Sequence, residues 1–484
     1  GLFKQEIVNG SQVEATDEWP THGYPWEVRR QDKAVTVKFG GRVEGFEENG
    51  RTFYRTVDTQ DILAVPYDIP VVGYAGETVN KLRVWAAEPV EEHFDLEAFN
   101  RGDYALADAE RAEAEAISAI LYPNDAGEHG RLLRLKQEYL FVSAGIYSLL
   151  DTFEKEHGEN WELLPQFVAI HTNDTHPAMC GPELMRILMD DAGLDWDTAW
   201  NITTHSVAYT NHTVLSEALE RWPQELMQSL LPRVWTIITE IARRYQEKIE
   251  NYYHDEAKTR EMAIIWDGQV RMANLCIAGG MAVNGVSALH SDILRNDVFK
   301  YQCAMEPEKF KNVTNGIDHR RWLAQINPRL DELVRALAGG DEYLLHPEAL
   351  KKLEAYADDT AVLNRLGEIK RANKLDFAAY VKKTQGIVLN TDAIFDVQVK
   401  RLHEYKRQLL CAMRITQLQL LLHDDPDQSF QPRTFLFAAK AAPGYATAKR
   451  IIQLLCSLAA DVNADPVCRG RLQVYFLPNY RVSA

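Results

Sequence analysis

A cluster of cations, formed by Lys400, Arg401, Lys406 and Arg407 with His403 between them, lies within eight consecutive positions. The chain as a whole is acidic, with a formal net charge of -17. So much positive charge in one place needs an anion to offset its mutual repulsion. A phosphate is the natural occupant, because ammonium and guanidinium groups form charge-assisted hydrogen bonds to its oxygens. The plain alternative is a solvated helix face; we favour a site, since Lys400 and Arg401 directly follow an apolar strand.

The cationic cluster stands at a predicted strand-to-helix turn. Val397 and Val399 alternate with polar residues, which indicates a strand. Leu402, Leu409 and Met413 then recur near helical spacing. In open α/β sheets, ligands bind outside the carboxyl ends of the strands, where helix N-termini present free N–H groups. We therefore expect the anion at this turn.

Length and composition limit the class of protein. With 484 residues the chain exceeds one ordinary core, so two or three domains are expected. A composition of 46% hydrophobic and 25% charged residues is that of a soluble globular protein. No apolar run is long enough to span a bilayer and no signal pattern opens the sequence, so we expect a cytoplasmic location. A pI near 5.4 argues against a broad nucleic-acid footprint.

The cysteines indicate neither a disulfide framework nor a zinc knuckle. They are scattered and form no C-x-x-C pair, so reduced core residues are expected. The six are Cys180, Cys276, Cys303, Cys411, Cys456 and Cys468.

In the first part of the chain, strand patterns are followed by helix patterns. Strand patterns punctuated by Gly and Asn or Asp run over 36–84 and predict a small antiparallel excursion. Helix patterns follow over 96–121 and 131–153. The Pro-Asn-Asp break at 123–125 predicts a loop that could reach a cleft.

Three strand-to-helix units are predicted next, with strands at 167–171, 206–209 and 275–280. The first is followed by a helix with Pro182 in its first turn, and the second by a helix at 214–221. Polar residues gather just past each strand end, where a parallel sheet presents them to a ligand. Their donors and acceptors suit hydroxyl groups.

Two other site classes are disfavoured. His171, Asp174 and His176 have metal-ligand chemistry, but no second ligand cluster accompanies them and a structural histidine is commoner. Neither a G-x-G-x-x-G fingerprint nor a Walker loop is found, so no dinucleotide or nucleoside triphosphate site is predicted.

The last part of the chain predicts half of a doubly wound sheet. Strands at 395–399, 434–439 and 472–477 alternate with helices, which gives βαβαβ. The boundary between the two parts is predicted near Gly316. Three strands leave one edge unpaired, so we expect the chain to be a segment truncated at both ends.

Six motifs make this sequence similar to the glycogen (α-glucan) phosphorylase family. They follow the family's order and are too long and collinear for chance. They are Asn-Asp-Thr-His-Pro at 173–177, Ala-Tyr-Thr-Asn-His-Thr-Val-Leu at 208–215, Thr-Asn-Gly-Ile at 314–317, Lys-Arg-Leu-His-Glu-Tyr-Lys-Arg-Gln-Leu-Leu at 400–410, Lys-Ala-Ala-Pro-Gly-Tyr at 440–445 and Asn-Tyr-Arg-Val-Ser at 479–483.

The resemblance implies an α/β fold of two Rossmann-like lobes facing each other across a cleft, the GT-B type of glycosyltransferase architecture. It implies an N-terminal lobe over 1–316 with a small β insertion near 36–86, and a C-terminal lobe over 317–484 that binds phosphate and cofactor. The implied cofactor is pyridoxal 5'-phosphate. The implied assembly is a homodimer.

The implied reaction is phosphorolysis of the terminal α-1,4-linked glucose of a glucan, with retention, to give α-glucose 1-phosphate. Glycogen, starch and maltodextrin remain open as substrates. In this family the cofactor phosphate exchanges a proton with the substrate phosphate, which protonates the departing glycosidic oxygen and attacks the same face of the sugar. Two phosphates in close approach repel strongly, which explains the cations at 400–407.

The resemblance also assigns roles by position in the cationic cluster. Arg401 and Lys406 match ligands of the substrate phosphate, and Lys400 lies near the cofactor phosphate. Tyr405 matches a contact to a sugar hydroxyl, although by itself it reads as a helix-packing aromatic. His212 completes the expected catalytic set.

The remaining assignments concern sugar and cofactor. His212 and Asn315 match contacts to the glucose 6-hydroxyl and Val286 matches a backbone contact; without the motif, His212 would be read as a core histidine. Residues that match the cleft lining near the anomeric carbon are Asn124, Asp125 on an expected mobile gate, Asp174 and His176. Residues that match the surroundings of the cofactor are Trp322, Tyr480 and Arg481, the last of which a surface ion pair would explain as well.

The sequence departs from the family pattern at several points. Ala126 stands where an asparagine often reaches the sugar, and Asp318-His319 and Ala438-Ala439 replace commoner pairs. The family's glycine-rich phosphate loop and its Schiff-base lysine segment are absent from these residues. Lys440 belongs to a different motif and is not taken as a substitute. A non-catalytic glucan-binding module and a sugar-nucleotide-dependent glycosyltransferase are therefore the alternatives.

Overall fold

The computed structural model describes residues 3–17, 23–48, 50–91, 94–215 and 219–480. By its internal contacts the chain divides into two compact units. The first, here the N-terminal unit, is His22–Asn315, and the second, the C-terminal unit, combines Gly316–Ala484 with Gly1–Thr21. The division at Gly316 falls at the predicted boundary. The start of the chain, which we assigned to the N-terminal lobe, belongs instead to the C-terminal unit.

Strands in the described residues are mostly short and their sheets are separate. In chain order they are β1 (Lys4–Val8), β2 (Ser11–Ala15), β3 (Val28–Arg29), β4 (Val35–Phe39), β5 (Arg42–Glu48), β6 (Arg51–Val57), β7 (Gln60–Val72), β8 (Val79–Pro89), β9 (Ile170–Asn173), β10 (Val207–Thr210), β11 (Arg221–Pro223), β12 (Ile265–Trp266), β13 (Gln269–Arg271), β14 (Val283–Gly285), β15 (Phe310–Asn312), β16 (Ile394–Val399), β17 (Arg433–Ala438) and β18 (Leu472–Phe476).

Helices make up most of the remainder. In chain order they are α1 (Leu96–Asn100), α2 (Tyr104–Ala107), α3 (Ala109–Ala119), α4 (Glu128–His157), α5 (Leu164–Phe167), α6 (Cys180–Arg186), α7 (Trp196–Ser206), α8 (Gln224–Leu230), α9 (Pro232–Tyr253), α10 (Glu256–Met262), α11 (Met272–Gly279), α12 (Ala288–Ile293), α13 (Lys300–Met305), α14 (Pro328–Ala338), α15 (Thr360–Gln385), α16 (Gln408–Asp424) and α17 (Ala446–Ala464). None of these helices has the length and apolar character needed to cross a bilayer.

A four-stranded parallel sheet lies at the centre of the N-terminal unit, in the order β15-β14-β10-β9. Its strands are short, and the two inner strands, β10 and β14, are largely buried, with Val207, Tyr209 and Val283 inside the core. Parallel strands need helical crossovers, which cover both faces of the sheet. The carboxyl ends of all four strands therefore lie at one edge, as the polar residues past the predicted strands require.

Three predictions in this unit were wrong in detail. All but the last residue of the run at 275–280 belong to α11, in which every residue is buried, so its continuous apolar sequence could not distinguish a helix from a strand. The strand predicted at 167–171 begins later, at Ile170. The helix predicted at 214–221 is not formed by its described residues, and Arg221 opens β11 instead.

The antiparallel excursion is confirmed. β7 pairs with β4 and β8, and β5 pairs with β6, all antiparallel. The helix predicted over 96–121 consists of α1, α2 and α3, because Asp95 and Asp103 cap new helix starts with their side chains. The helix predicted over 131–153 is α4, and the break at 123–125 is a loop, as predicted.

The C-terminal unit contains the predicted βαβαβ arrangement. β16, β17 and β18 are parallel neighbours in chain order, joined by α16 and α17. Phe435, Phe437 and Val474 on the strands pack with Ile415 and Ile452 on the helices in one core. The chain is thus of mixed α/β class with a parallel sheet in each unit.

The hairpin of β1 and β2 explains why the start of the chain joins this unit. Gln5 Nε2 donates to the Ala439 carbonyl oxygen (2.8 Å) and Gln12 Nε2 to that of Ala441 (2.9 Å). The Asn479 backbone N–H donates to Gln5 Oε1 (2.9 Å). Both glutamines are buried, so these bonds satisfy polar groups that would otherwise be costly to bury.

Candidate functional site

Backbone hydrogen bonds from the segment that carries the cations continue the pairing of the parallel sheet. The Lys400 N–H donates to the Ala438 carbonyl oxygen and the Leu402 N–H to that of Lys440, both at 3.1 Å. Leu402 is 2% exposed and anchors the turn in the core. The side chains of Lys400 and Arg401 are exposed at the carboxyl end of β16.

A short turn separates this strand from its helix. Residues 404–406 form one 3-10 turn, which His403 caps by accepting from the Tyr405 N–H (3.4 Å). Arg407 follows in the left-handed region (φ 59°), and α16 begins at Gln408 without a side-chain cap. The helix thus begins later than the predicted apolar spacing from Leu402 suggested. Its first N–H groups and positive dipole end are available beside the cations.

The cations have no carboxylate within salt-bridge distance in the part of the chain that the structure describes. Burial lowers the pKa of the Lys406 ammonium, and the neighbouring charges of Arg401 and Lys400 lower it further. A basic group beside two other cations is stabilised when an anion binds. Geometry and charge therefore favour an oxyanion at this junction.

Aromatic rings surround the turn. The Tyr405 ring lies 4.3 Å from the His403 ring and 5.7 Å from Lys406 Nζ, and its side chain is largely exposed. The Tyr445 ring lies 5.2 Å from His403, and its hydroxyl donates to Glu404. Tyr405 therefore presents its hydroxyl to solvent beside the cations and is not a core-packing residue.

The structure places some, but not all, of the residues predicted to surround the cofactor. Tyr480 follows β18 at the same edge of the sheet at which Lys400 follows β16. Trp322 is 51% exposed, and its ring lies 6.0 Å from the Arg321 guanidinium. Arg481 lies outside the described residues. Lys440 Nζ donates to the Phe3 carbonyl oxygen (2.8 Å), which agrees with leaving it out as a Schiff-base candidate.

In the N-terminal unit, polar side chains meet past the ends of the parallel strands. His212 Nε2 bonds Asn173 Oδ1, which joins the ends of β10 and β9. Because an amide oxygen only accepts, Nε2 is the donor in this bond. His212 is exposed, so the core-histidine interpretation is wrong.

A backbone hydrogen bond joins Val286 and Asn315. The Asn315 N–H donates to the Val286 carbonyl oxygen (3.0 Å), which retains a second lone pair for a ligand. The Val286 N–H donates to His290 Nδ1 (3.2 Å), and His290 Nε2 lies 3.0 Å from Asn211 Oδ1. Burial lowers the pKa of His290, and His212 contributes.

His290 belongs to this polar cluster, although the sequence interpretation assigned it no role. Its place in the first turn of α12, three residues after the N-cap Ser287, is a local signal. Its bond to Asn211 spans 79 residues and has no sequence signal.

The residues predicted near the anomeric carbon occupy two loops. Asn124 and Asp125 are exposed on the loop before α4. Asp174 follows β9 in the left-handed region (φ 66°) and accepts from the Thr175 N–H (2.8 Å). His176 lies on the next turn.

No group of three His, Cys, Asp or Glu side chains among the residues described is arranged to hold a metal ion. His171 Nε2 bonds Thr210 Oγ1 instead.

Replacing Gly285 by alanine is expected to destabilise this edge by about 1–3 kcal/mol, the usual cost of overpacking. A Cβ at this position would lie 2.8 Å from the Ser291 N and 3.0 Å from its Cα, so the start of α12 must shift. Urea unfolding of the full-length protein measures the cost. Gly279→Ala is the matched buried control, because its Cβ would meet Trp200 at an ordinary 3.8 Å. Equal stability of the two variants would contradict the prediction.

Comparison with known proteins decides the family. A profile of the carbohydrate phosphorylase family matches residues 1–484. The chain belongs to this family. A glycogen phosphorylase of Bacillus subtilis (strain 168) is 46% identical over 484 residues, which cover 100% of this chain and 59% of that protein.

Mammalian relatives of this phosphorylase-family chain match equally well. The muscle form of glycogen phosphorylase from Oryctolagus cuniculus is 45% identical over 494 residues, covering 100% of this chain and 58% of that protein. The brain form from Bos taurus is also 45% identical, with the same coverage. The chain thus spans less than two thirds of the length of these relatives. The resemblance inferred from the six motifs is confirmed.

Proposed function

We propose that the protein containing this chain is an α-glucan phosphorylase, which transfers the terminal α-1,4-linked glucose of a glucan to inorganic phosphate and releases α-glucose 1-phosphate. The observation that carries the proposal is the set of cations at the carboxyl end of β16, which no carboxylate of the described residues neutralises. Lys400, Arg401 and Lys406 have no carboxylate partner among the described residues, and α16 begins beside them without a cap. Membership of the carbohydrate phosphorylase family supports it.

Arg401 and Lys406 would hold the substrate phosphate. In the reaction the bond from the anomeric carbon to the glycosidic oxygen breaks, and a bond from that carbon to a phosphate oxygen forms on the same face. The departing oxygen takes its proton from the phosphate. Negative charge then increases on the phosphate, and fixed cations stabilise it without reorganising. With such a set of charges the reaction needs no pair of catalytic carboxylates, whereas a retaining glycosidase uses two.

His212 and Asn315 would orient the glucose through its 6-hydroxyl group, and the Val286 carbonyl would accept from another sugar group. The bond to Asn173 fixes the His212 ring and its tautomer. The bond between Asn315 and Val286 fixes their backbone relative to each other. Orientation of this kind lowers the barrier by holding the sugar near its reactive geometry. Asn124, Asp125, Asp174 and His176 are proposed to line the sugar site near the anomeric carbon, and Tyr405 to bind a sugar hydroxyl.

The donor set fits the phosphate group of pyridoxal 5'-phosphate. Lys400 supplies a cation and Tyr480 a hydroxyl at the same edge of the parallel sheet. Exposed Trp322 offers an aromatic surface, and Arg481 is proposed with it. When bound, the cofactor supplies a phosphate group that exchanges a proton with the substrate phosphate. We assign no described lysine to its aldehyde.

Membership of the carbohydrate phosphorylase family also supports proposals about architecture, location and assembly. We propose the GT-B type of architecture, with residues 317–484 in the phosphate- and cofactor-binding lobe. A cytoplasmic homodimer that acts on glycogen, starch or maltodextrin is proposed as the working form.

The test is to incubate the full-length protein with glycogen, starch or maltodextrin and inorganic phosphate and to measure glucose 1-phosphate. The expected result is phosphate-dependent release, accompanied by the near-ultraviolet absorbance of bound pyridoxal. Absence of product despite that absorbance would contradict the proposed reaction. Absence of both would favour a glucan-binding module, and turnover of a nucleotide sugar without phosphate would favour a glycosyltransferase.

A further inference from the structure

One face of α4 contacts the loop that carries Asn124 and Asp125. The three contacting residues, Gly130, Arg134 and Gln137, are spaced by four and then three positions along the helix. Residues at this spacing lie above one another on one side of a helix. They therefore form a continuous surface against which a preceding segment can lie.

Two of the contacts are made by side chains. Gln137 Nε2 donates to the Ile120 carbonyl oxygen (2.8 Å), which holds the start of the loop. The Arg134 guanidinium lies over the Tyr122 ring, 4.5 Å from its centroid. A cation over an aromatic ring at this distance is attractive and restricts both side chains.

The third contact depends on the absence of a Cβ atom at Gly130. A Cβ at Gly130 would lie 1.8 Å from the Asn124 carbonyl oxygen, 2.8 Å from its carbonyl carbon and 3.1 Å from the Asp125 Cα. The loop backbone thus occupies the space that any other residue would fill. Gly130 has no positive φ, so its need for glycine comes from this close approach alone.

Tyr122 shows that the loop is held in a conformation it would not adopt alone. Its φ is 59°, in the left-handed region that a bulky residue rarely enters. Its ring also meets the His176 ring edge-on at 6.3 Å. Glu138 Oε1 lies 2.9 Å from Arg134 Nε. Such backbone strain persists only where surrounding contacts determine the conformation.

We propose that Gly130, Arg134 and Gln137 are positioning residues, which set where Asn124 and Asp125 meet the sugar. Through Tyr122 the same contacts couple this loop to His176. The effect on turnover rests on the proposed phosphorolysis, whereas the placement of the loop rests on the contacts alone. The two parts are therefore tested by separate measurements.

The first test compares Gly130→Ala with Gly145→Ala in the full-length protein. Gly145 lies in the same helix, and a Cβ there would meet no atom within 4 Å. A protease that cuts before aspartate reports whether the Asn124–Asp125 bond is accessible. Gly130→Ala is expected to raise this cleavage rate and to lower kcat/KM for glucan, each by at least ~10-fold, because a displacement of about 1 Å at a reacting group is enough.

Global stability separates positioning from folding. Alanine is the better helix former and its Cβ would meet no atom at position 145, so Gly145→Ala should match the parent in thermal stability, cleavage and turnover. Gly130→Ala should still unfold in one cooperative thermal transition, with any loss of stability limited to the contacts of the loop. If Gly130→Ala does not fold, Tyr122→Leu replaces it, with Tyr122→Phe as the control that keeps the ring over Arg134. The leucine variant should show the faster cleavage and the phenylalanine variant should not.

Unchanged cleavage and an unchanged KM for glucan in both Gly130→Ala and Tyr122→Leu would overturn the proposal. If the parent protein shows no phosphorolysis, the cleavage rates alone still decide the positioning role. Faster cleavage with normal turnover would overturn the role in catalysis, since the loop would then be displaced without consequence for the sugar.

Discussion

Replacing Arg401 by glutamine and Lys406 by methionine together is expected to lower kcat of the full-length protein by at least ~10³-fold, because loss of a single preorganised charge-stabilising donor already costs about 10²–10³. Both side chains belong to the cationic cluster after β16, and no described carboxylate is paired with either of them. Without them, nothing on this turn offsets the charge of the phosphate except Lys400, Arg407 and the start of α16. Initial rates of glucose 1-phosphate release at saturating glucan and phosphate give the measurement.

Arg414→Gln is the control for this double variant. Arg414 lies on the exposed side of α16, where it bonds Gln417 (2.7 Å). It carries the same charge as Arg401 and Lys406 and lies on the helix that follows them, but it is farther along the chain from the turn. Its loss should therefore leave kcat within about twofold, as for surface charges generally. A double variant as active as this control would show that the cations do not bind the reacting phosphate.

Replacing Arg186 by methionine is expected to lower the free energy of unfolding by about 3–5 kcal/mol, the typical cost of leaving a buried charge without its partner. Glu183 is 0% exposed, and Arg186 Nε lies 2.9 Å from its Oε2. Tyr139 and Ser143 each donate to the same carboxylate at 2.8 Å. Both members of the ion pair lie on α6, the helix that follows the His176 loop, so the loss weakens the support of the site. Urea unfolding monitored by circular dichroism measures it.

An exposed pair provides the contrast. Arg243 contacts Glu240 (2.7 Å) on the surface of α9 and is half exposed, so Arg243→Met should cost no more than about 1 kcal/mol. Adding Glu183→Gln to Arg186→Met should recover part of the loss, because the orphaned charge is removed. Equal costs for the two single variants would contradict the role of burial.

The C-terminal unit was predictable because its signals are local. Each strand, such as 433–438, is a short apolar run bounded by polar residues, and each helix, such as 446–464, repeats its apolar residues at helical spacing. The cationic turn between β16 and α16 was found for the same reason. Its residues adjoin in sequence, so charge and pattern could be read together.

Other elements depend on contacts that a single segment does not contain. α11 is buried on all sides, so no polar face marked its period. His290 joins its polar cluster through Asn211, far away in the chain. The break at 123–125 was predicted to be a loop, but its anchoring by Gly130 follows only from the approach of Asn124. Sequence patterns identify elements here, whereas tertiary contacts determine which of their polar groups meet.

The hairpin of β1 and β2 affects the order in which the parts of the C-terminal unit can assemble. Gln5 donates from its backbone N–H to Asn479 Oδ1 across 474 positions, so the hairpin can complete its docking only after residue 479 has been synthesised. Closing so long a loop costs only slightly more entropy than closing a short one, yet it delays assembly. A polypeptide started at Gly316 would leave the carbonyls of Ala439 and Ala441 without the glutamines that cover them, whereas a circularly permuted polypeptide that joins residues 3–17 to this unit would restore them.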